Sequence, residues 1–462
     1  MWKPGSLDPN KSLYLAIAEV IEADIENRTL GPHERLPTQR GMADLFGVNL
    51  STVTKALKEC ERRGLVKGTI GSGTFVSADR GAAIPHGLFG DVDAVATRNL
   101  IEMGLTLPLY GQEERIEECV RDVVASESLG RLLRYSDSRG MREHRAVGSK
   151  WLNRYGLDTT ADDILIAGGS TNALTCCFSA FLKPGDHVAV DSLTYPGIIT
   201  MASMLGIRLE PIEMDETGMI PEALDAACGR TSIRALYLMP DSQNPTTRVM
   251  SERRRDQIAK VIRQRGLLLF EDSAYGDASG SRLVALSARV PQSSAFIGGV
   301  SKFLGAGLRI AFVAARGRMG ERIASAILGT IWMASPLNAA IVSSIIAGGV
   351  AEDVMRLKMS ESKRRVSLAK EFLAMHPFHC HPTGLFGWLE LPEGWNGKQF
   401  EMAAREKGVR VFCAERFSAG GEVPQAIRIS LSGPETIDDL KGGLEILSSL
   451  VLRRSFGWDA IL

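Results

Sequence analysis

Short apolar runs alternate with helical patterns along residues 164–316, and this alternation limits the fold more than any other feature of the chain. The runs are ILIA before Gly168, HVAVD before Ser192, ALYLMP before Asp241, LLLFED before Ser273, AFIGGV before Ser301 and RIAFVAA before Arg316. Apolar strands separated by helices are typical of an α/β domain with a mostly parallel sheet. Ligand sites in such sheets gather at the carboxyl ends of the strands, so we expect the chemically important side chains just after these runs.

The N-terminal part of the chain has a different pattern. Residues 13–25 carry apolar side chains at helical spacing, and a second helix is expected from Thr38, as its cap, to Phe46. A third helix is expected in VNLSTVTKALKECERRG, with a core-facing stripe formed by Val53, Ala56, Leu57 and Cys60. Two β-like runs, 65–67 and 74–76, flank a glycine-rich turn and indicate a hairpin. Together these elements predict a winged helix-turn-helix.

The outer face of the third helix is polar, hydroxyl-bearing and basic. It carries Ser51, Thr52, Lys55, Lys58 and Arg62. In a winged helix-turn-helix this helix enters the major groove, where such groups reach base edges and phosphates. A three-helix protein-interaction module is the alternative that the same spacing allows.

The string LPTQRGMADLFGVNLSTVTKALKECERRGLVKGTIGSGTFV resembles the DNA-binding domain of the GntR family of bacterial transcription regulators. The resemblance implies a double-stranded DNA operator as partner, with Lys55 on a phosphate. The DNA-contacting positions that it implies are Arg40, Ser51, Thr52, Lys55 and Gly71. Leu50 stands where the family often has arginine, and a leucine cannot read guanine with two hydrogen bonds.

Charge and composition narrow the function further. Lys+Arg and Asp+Glu balance at 54 each, so any attraction to nucleic acid must be local. The seven cysteines lack paired CxxC spacing, which predicts neither a disulfide framework nor a zinc ribbon. HPFHCHP, at 376–382, has metal-capable side chains, but we expect a structural loop and no metal. We find no signal-peptide pattern and no membrane span, and expect a cytoplasmic protein.

At 462 residues the chain is longer than one core usually serves. Residues 79–97 lack periodicity and carry glycine, proline and aspartate, as linkers do. We therefore predict a DNA-binding domain at 1–78, a linker at 79–97, a large domain at 98–340 and a small domain at 341–462.

An aldehyde cofactor with a phosphate and a pyridine ring needs a definite set of partners: an amine for a Schiff base, an acid at the ring nitrogen, donors to the phenolate oxygen, a stacking ring and a phosphate cup. Lys302 in GGVSKFLGAGLR is the candidate amine, and Asp272, at the end of LLLFED, is the candidate acid. Tyr275 and Asn244 are candidate donors to the phenolate oxygen, and Tyr195 offers a stacking face. The candidates for the phosphate cup are Gly169, Ser170, Thr171, Ser301 and Arg309. Each signal alone has an ordinary structural explanation, whereas their order at successive strand ends favours one site.

The run GGST, TYPG, QNP, DSAY, SK and LR resembles the fold type I aminotransferases, class I and II branch, over residues 98–450. The resemblance implies the PLP-dependent transferase fold, with pyridoxal 5'-phosphate as an internal aldimine on Lys302. It also implies that Tyr135 reaches the neighbouring subunit's phosphate in a homodimer, and that Arg428 holds the α-carboxylate of an amino ligand. The sequence departs from the family at Gly299, where many relatives have serine, and at Thr247, where glycine is usual.

A GntR-type domain joined to an aminotransferase-like domain resembles the MocR subfamily of transcription regulators. The resemblance implies a head-to-tail homodimer. We hypothesise that pyridoxal phosphate on Lys302, or its exchange with an amino-acid-like or amine effector, changes operator binding. Two alternatives remain open: a catalytically active aminotransferase with an accessory DNA-binding domain, and a regulator that senses pyridoxal phosphate alone.

Overall fold

The computed structural model divides the chain into two compact units, residues 1–87 and 88–462. Besides Trp2, Pro4 and Leu7, it describes residues 12–26, 29–31, 34–62, 65–69, 73–76, 100–111, 113–126, 128–279 and 283–455. The predicted linker, 79–97, lies outside these residues, and so does Gly71.

The described part of the N-terminal unit consists of three helices followed by an antiparallel pair of strands. The elements are α1 (Leu13–Glu26), α2 (Gln39–Phe46), α3 (Leu50–Arg62), β1 (Val66–Thr69) and β2 (Gly73–Val76). The hydroxyl of Thr38 accepts the N–H of Gly41 at 3.1 Å, which caps α2, and Gly47 ends the helix with φ 63°. The predicted winged helix-turn-helix is confirmed.

The core of this unit follows the helical periodicity. Val53, Ala56, Leu57 and Cys60 are all buried, and α3 packs them toward α1. The strand pair is tied to the segment before α2, because the N–H of Leu36 donates to the carbonyl of Thr74 at 2.9 Å. These contacts leave the opposite face of α3 exposed.

In the C-terminal unit, helices surround a large sheet and a smaller one. Its α-helices are α4 (Glu113–Ala125), α5 (Leu129–Leu132), α6 (Arg142–Leu152), α7 (Ser170–Phe181), α8 (Pro196–Met204), α9 (Pro221–Arg230), α10 (Glu252–Arg265), α11 (Gly276–Ser279), α12 (Leu286–Arg289), α13 (Gly317–Ile331), α14 (Pro336–Ala347), α15 (Val350–Phe372), α16 (Gly397–Glu406) and α17 (Ile437–Ser455). Its strands are β3 (Ile101–Glu102), β4 (Ile164–Ala167), β5 (His187–Asp191), β6 (Arg208–Ile212), β7 (Met214–Asp215), β8 (Gly218–Met219), β9 (Ile233–Leu238), β10 (Leu268–Asp272), β11 (Ser294–Gly299), β12 (Ala311–Ala314), β13 (Phe378–Cys380), β14 (Phe386–Glu390), β15 (Val409–Arg410), β16 (Phe412–Cys413) and β17 (Ala426–Ser430).

The large sheet has seven strands in the order β4-β12-β11-β10-β9-β5-β6. β12 runs antiparallel to both of its neighbours, and the other pairs are parallel. The six apolar runs in the sequence each contribute a strand, and four-residue β4 and β12 are buried throughout. The predicted mostly parallel α/β sheet is confirmed, and its parallel strands deliver their carboxyl ends to one edge.

The smaller sheet is antiparallel, in the order β13-β14-β17-β16. Beside it, β3 pairs with β15 in parallel, with Ile101 opposite Val409. Met103, which follows β3, is buried in the apolar core of this C-terminal region. The predicted large domain began at residue 98, but its first described strand therefore packs with the smaller sheet, because its apolar side chains complete that core.

Among the described residues, no single helix combines the length and the apolar composition needed to cross a membrane. α14 and α15 meet these criteria only as a pair, and the pair is bent by 77°.

Candidate cofactor pocket and DNA-binding face

A cavity of about 280 Å³ lies at the carboxyl ends of the large-sheet strands. The structure brings nearly all of the predicted cofactor and carboxylate residues together in its lining, namely Ser170, Thr171, Tyr195, Asn244, Asp272, Tyr275, Ser301, Lys302, Arg309 and Arg428. Gly169 precedes this lining as the residue before α7. Side chains from distant parts of the chain thus meet in one place: Ser170 and Arg428, which both line the cavity, are 258 positions apart.

Asp272 is a buried carboxylate at the end of β10. Its Oδ2 accepts a hydrogen bond from the hydroxyl of Tyr237 at 3.1 Å, and its Oδ1 accepts the N–H of Ala274 at 3.0 Å. Burial raises the pKa of Asp272 to about 6, against the lowering effect of these hydrogen bonds and of Lys302. A carboxylate held in this way is suited to pair with a cation that enters the cavity.

Lys302 follows β11. It is half-buried, and its amine forms no ion pair with a carboxylate among the described residues. Its Nζ donates to the backbone carbonyl of Thr106 at 2.5 Å and lies 5.8 Å from the ring centroid of Tyr275. Burial, then repulsion from Arg428 and Arg309, lowers the pKa of Lys302 to about 8. The amine is therefore far more often neutral near pH 7 than an exposed lysine, and so more nucleophilic.

Arg309 and the beginning of α7 form a cationic cradle. Gly169 has φ 91°, and a Cβ there would lie 2.5 Å from Nη2 of Arg309, so glycine permits the close approach. Nη1 of Arg309 is 3.4 Å from Oγ of Ser301. A helix N-terminus, an arginine and two serine hydroxyls make a site for a phosphate group.

The absence of a side chain at Gly299 has a structural counterpart. A Cβ built on Gly299 would overlap the hydroxyl oxygen of Ser170. A side chain at position 299 would therefore require the hydroxyl of Ser170 to move, and glycine leaves that hydroxyl its present place in the cavity lining.

Arg428 is buried on β17 among aromatic rings. Its guanidinium carbon lies 4.8 Å from the ring centroid of Phe417 and 5.6 Å from that of Phe412. Nη1 donates to Oδ1 of Asn244 at 2.7 Å and Nη2 to the carbonyl of Gly104 at 2.5 Å, while Nε has no partner among the described residues. Burial lowers the pKa of Arg428, so an anion that reached this cation would be strongly favoured.

The hydrogen bond from Arg428 also fixes the amide of Asn244, because Oδ1 is used as an acceptor and the NH₂ group remains available to donate. Burial raises the pKa of Tyr195 to about 12 and also raises the pKa of Tyr275, so both hydroxyls keep their protons and can donate.

Thr247, near Asn244, has φ 63°, a left-handed backbone conformation that explains why glycine is usual at this position.

The sequence did not reveal several residues of the pocket. Tyr237 hydrogen-bonds to Asp272, and its place as the one polar side chain in the ALYLMP run was an available signal. Leu105, Phe412 and Phe417 line the cavity as members of one apolar cluster. Their side chains are ordinary apolar ones, so nothing in the sequence marks them as pocket residues. The pairing of β3 with β15 brings Leu105 close to Phe412 and Phe417.

Two further predictions concern residues outside the cavity. Tyr135 is 81% exposed and packs on Trp332 with ring centroids 5.5 Å apart, so its predicted role toward a neighbouring subunit stays a prediction. In the HPFHCHP segment, Nδ1 of His381 is 3.1 Å from Oγ1 of Thr383, and His379 lies 3.5 Å from Glu390. The described residues contain no cluster of three or more His, Cys, Asp or Glu side chains that could hold a metal ion.

Of the predicted DNA-contacting residues that the structure describes, Arg40 lies on α2, and Ser51, Thr52 and Lys55 lie on α3. Arg40, Ser51 and Lys55 are exposed and Thr52 is half-buried. The hydroxyl of Thr54 donates to Oε1 of Gln39 at 3.1 Å, which ties the beginnings of the two helices together. Leu50, the first residue of α3, is 44% exposed, so an apolar side chain occupies a position on this otherwise polar face.

The fold and the pocket define a winged helix-turn-helix protein with a fold type I aminotransferase-like domain. The model of the class I and II aminotransferases matches residues 98–441, and that of the gntR family of bacterial regulatory proteins matches residues 13–76. The chain therefore belongs to the class I and II aminotransferase family and, with its GntR domain, to the MocR-type transcription regulators.

Several known proteins are similar to most of this chain in sequence or in fold. The uncharacterized HTH-type transcriptional regulator YdeF of Bacillus subtilis is 36% identical, over 97% of this chain and 96% of its own. The vitamin B6 salvage pathway transcriptional repressor PtsJ of Salmonella typhimurium is 26% identical, over 86% of this chain and 93% of its own. The solved structure of the α-aminoadipate aminotransferase LysN from Thermus thermophilus, complexed with a phosphopyridoxyl-leucine compound, superposes with a TM-score of 0.70 at 24% identity, over 79% of this chain and 95% of its own.

The family implies pyridoxal 5'-phosphate as the cofactor, and the residues present fit it. The cavity offers a buried carboxylate, an amine of lowered pKa, and a cradle at Gly169 that a Cβ would fill. A pyridine nitrogen, an aldehyde and a phosphate each find a chemically matched partner there.

Proposed function

We propose that this protein is a DNA-binding transcription regulator whose operator affinity depends on pyridoxal phosphate and an amino-compound effector bound in the C-terminal unit. The observation that carries the proposal is the presence, in one chain, of an exposed hydroxyl-bearing and basic face on α3 and of a buried pocket matched to the cofactor. The similarity to PtsJ, which is described as a transcriptional repressor of the vitamin B6 salvage pathway, supports it. Because it acts on DNA, we place it in the cytoplasm.

The pocket residues divide the work of holding the cofactor. Lys302 is the attachment point and Asp272 pairs with the ring nitrogen, while Tyr195 stacks on the ring and Asn244 and Tyr275 donate to its phenolate oxygen. The phosphate is held by Gly169, Ser170, Thr171, Ser301, Arg309 and, from the partner in a head-to-tail homodimer, Tyr135. When bound, the cofactor supplies an aldehyde reactive toward amines and an electron-withdrawing ring.

Arg428 is the anchor for the effector's carboxylate. Its Nε is buried without a partner among the described residues, and each of its Nη atoms carries a second N–H besides the one that it donates to Asn244 or Gly104. A carboxylate is planar and accepts two parallel hydrogen bonds from a guanidinium. An amino acid can thus be held at one end by Arg428 while its amino group approaches Lys302.

Ligands can act on the rest of the chain through residues 101–106, which we call the leading segment. The carbonyls of Gly104 and Thr106 accept hydrogen bonds from Arg428 and Lys302, both at 2.5 Å. A cofactor on Lys302 and a carboxylate on Arg428 compete with these two carbonyls. Ligand binding therefore favours a different position of the leading segment. The predicted linker to the N-terminal unit lies just before this segment in the chain. A ligand that favours one position over the other meets the requirement for coupling between ligand binding and DNA binding.

DNA recognition is assigned to Arg40, Ser51, Thr52, Lys55 and Gly71. Hydroxyl and guanidinium groups reach base edges, and Lys55 contacts a phosphate.

The test is binding of the full-length protein to DNA from its own upstream region, measured across salt concentrations with and without pyridoxal phosphate. We expect site-specific binding with a steep salt slope that changes with the cofactor. Lys302→Ala should remove the change, whereas Lys358→Ala, at a buried lysine outside the lining of this cavity, should keep it. Cofactor-independent DNA affinity in the unmodified protein would contradict the proposal.

A working aminotransferase is the second candidate, because Lys302, Asp272 and Arg428 line one cavity and burial lowers the pKa of Lys302 to about 8. A lysine of this kind can move a proton at the Cα of a bound amino acid. Steady turnover of an amino donor and a keto acceptor, without site-specific DNA binding, would favour this function.

A further inference from the structure

The part of the cavity around Arg428 that the cofactor contacts do not use is apolar. Leu105, Phe412 and Phe417 line it and belong to one buried cluster with Trp388. The guanidinium of Arg428 lies within 6 Å of the ring centroids of Phe412 and Phe417, at 5.6 Å and 4.8 Å. A substituent on the carbon next to a carboxylate held by Arg428 therefore meets these apolar walls.

Charged partners for a second carboxylate are lacking in this lining. Of the described residues that line the cavity, the cations are Lys302, Arg309 and Arg428. Arg309 lies against Gly169 and Ser301 in the phosphate cradle. Within the described lining that this chain supplies, no cation is therefore left for a distal acid.

Two arginines lie just behind the wall, and each already has a carboxylate. The guanidinium carbons of Arg410 and Arg416 are 5.3 Å and 5.0 Å from the ring centroid of Phe412, and neither residue lines the cavity. Nη1 of Arg410 is 2.9 Å from Oε2 of Glu102, and Nε of Arg416 donates to both carboxylate oxygens of Glu401 at 3.0 Å. Recruiting either arginine would leave a partly buried carboxylate unpaired, which is unfavourable.

We propose that the effector is an α-amino acid with an uncharged, apolar side chain, which Leu105, Phe412 and Phe417 contact while Arg428 holds its carboxylate. The proposal rests on the proposed function and names its effector class. An acidic side chain would be desolvated against these walls without a partner, whereas an apolar side chain gains from burial.

The experiment titrates the full-length protein, loaded with pyridoxal phosphate, with L-leucine, L-phenylalanine and L-glutamate, and follows heat and the cofactor's absorption spectrum. We expect leucine or phenylalanine to bind about tenfold or more tightly than glutamate, the factor that burial of one such side chain corresponds to. Equal or tighter binding of glutamate would overturn the proposal, and so would the absence of binding by all three amino acids.

Matched variants separate a pocket effect from a general loss of packing. Phe412→Leu should weaken phenylalanine binding by about threefold or more, because aromatic contact area is lost. Phe400→Leu removes the same atoms from a buried phenylalanine outside the cavity lining and should leave amino-acid binding unchanged. An equal effect of both substitutions would count against the assigned wall.

Measuring both amino-acid binding and DNA affinity on the full-length protein distinguishes a failure of this inference from a failure of the proposed function. If pyridoxal phosphate changes affinity for the upstream DNA but apolar amino acids do not bind, the regulator stands and the effector class is wrong. If apolar amino acids bind but neither they nor the cofactor change DNA affinity, the effector class stands and the regulatory function is wrong.

Discussion

The hydroxyl of Ser170 occupies the position that a side chain at Gly299 would need. Gly299→Ser should therefore weaken pyridoxal phosphate binding, even though it restores the family's usual residue, because its Cβ overlaps Ser170 Oγ. Combining it with Ser170→Gly should recover most of the affinity, since one hydroxyl again fills the space. Fluorescence titration of the cofactor on the single and double variants measures this. Loss of affinity that adds up in the double variant would contradict it.

Cofactor binding should weaken in acid. Burial raises the pKa of Asp272 to about 6, so below that pH the carboxyl increasingly takes up a proton and loses the charge that pairs with the ring cation. Affinity of the ligand-free protein for pyridoxal phosphate should then fall by up to about tenfold per pH unit. Asp272→Asn should bind weakly at every pH and lose this part of the dependence. A wild-type affinity that is flat from pH 7 to 5 would exclude the pairing.

A substitution at Leu50 should strengthen DNA binding with little loss of stability. It is 44% exposed at the first residue of α3, so Leu50→Arg introduces a guanidinium without disturbing the core. A bidentate contact to guanine would improve site-specific affinity by about 1–3 kcal/mol. Gel-shift titration against the upstream DNA and a scrambled sequence distinguishes specific gain from a uniform electrostatic gain, which would contradict a base contact.

Lys55→Ala should weaken binding to every DNA sequence to a similar degree. An exposed lysine on a phosphate carries no sequence information, so its removal should reduce the salt slope by about one unit. Lys398→Ala, an exposed lysine in the C-terminal unit, is the matched control and should leave both affinity and slope unchanged. A sequence-dependent loss at Lys55 would mean that it reads bases.

Glu102 should control the coupling between cofactor binding and DNA affinity. Its Oε1 accepts the N–H groups of Gly104 and Leu105, both at 2.7 Å, and so shapes the turn that offers carbonyls to Arg428 and Lys302. Glu102→Ala leaves two buried donors unpaired, at a cost of about 1–3 kcal/mol each, and should uncouple the leading segment. We expect cofactor binding to persist while its effect on DNA affinity falls. Glu102→Gln keeps an acceptor oxygen and should retain part of the effect; equal loss in both variants would argue against the turn.

The sequence predicted the parts that depend on local pattern or on distinctive chemistry. Val53 and Cys60 are buried as their helical spacing requires, and Asp272 and Lys302 lie at strand ends as their runs require. Residue spacing alone could not assign Phe412 to the lining of the cavity, because nothing in its local sequence distinguishes it from an ordinary core phenylalanine.

The position of the leading segment depends on contacts between distant parts of the chain. Glu102 and Arg410 are 308 positions apart, and their ion pair joins strands that are each only two residues long. Strands this short give almost no periodic signal, so the sequence could not show that this segment pairs with β15 or that Met103 packs in the core of the C-terminal region.

The pairing of β3 with β15 sets a limit on how the C-terminal unit can be separated for independent study. A fragment that begins at residue 98 keeps Ile101 opposite Val409 and keeps Met103 in its core. A fragment that begins after residue 106 leaves an open strand edge and an unfilled space in the smaller sheet's core. It also lacks the two carbonyls that hold Lys302 and Arg428, so trimming this unit to its enzyme-like sheet would alter the ligand-free pocket itself.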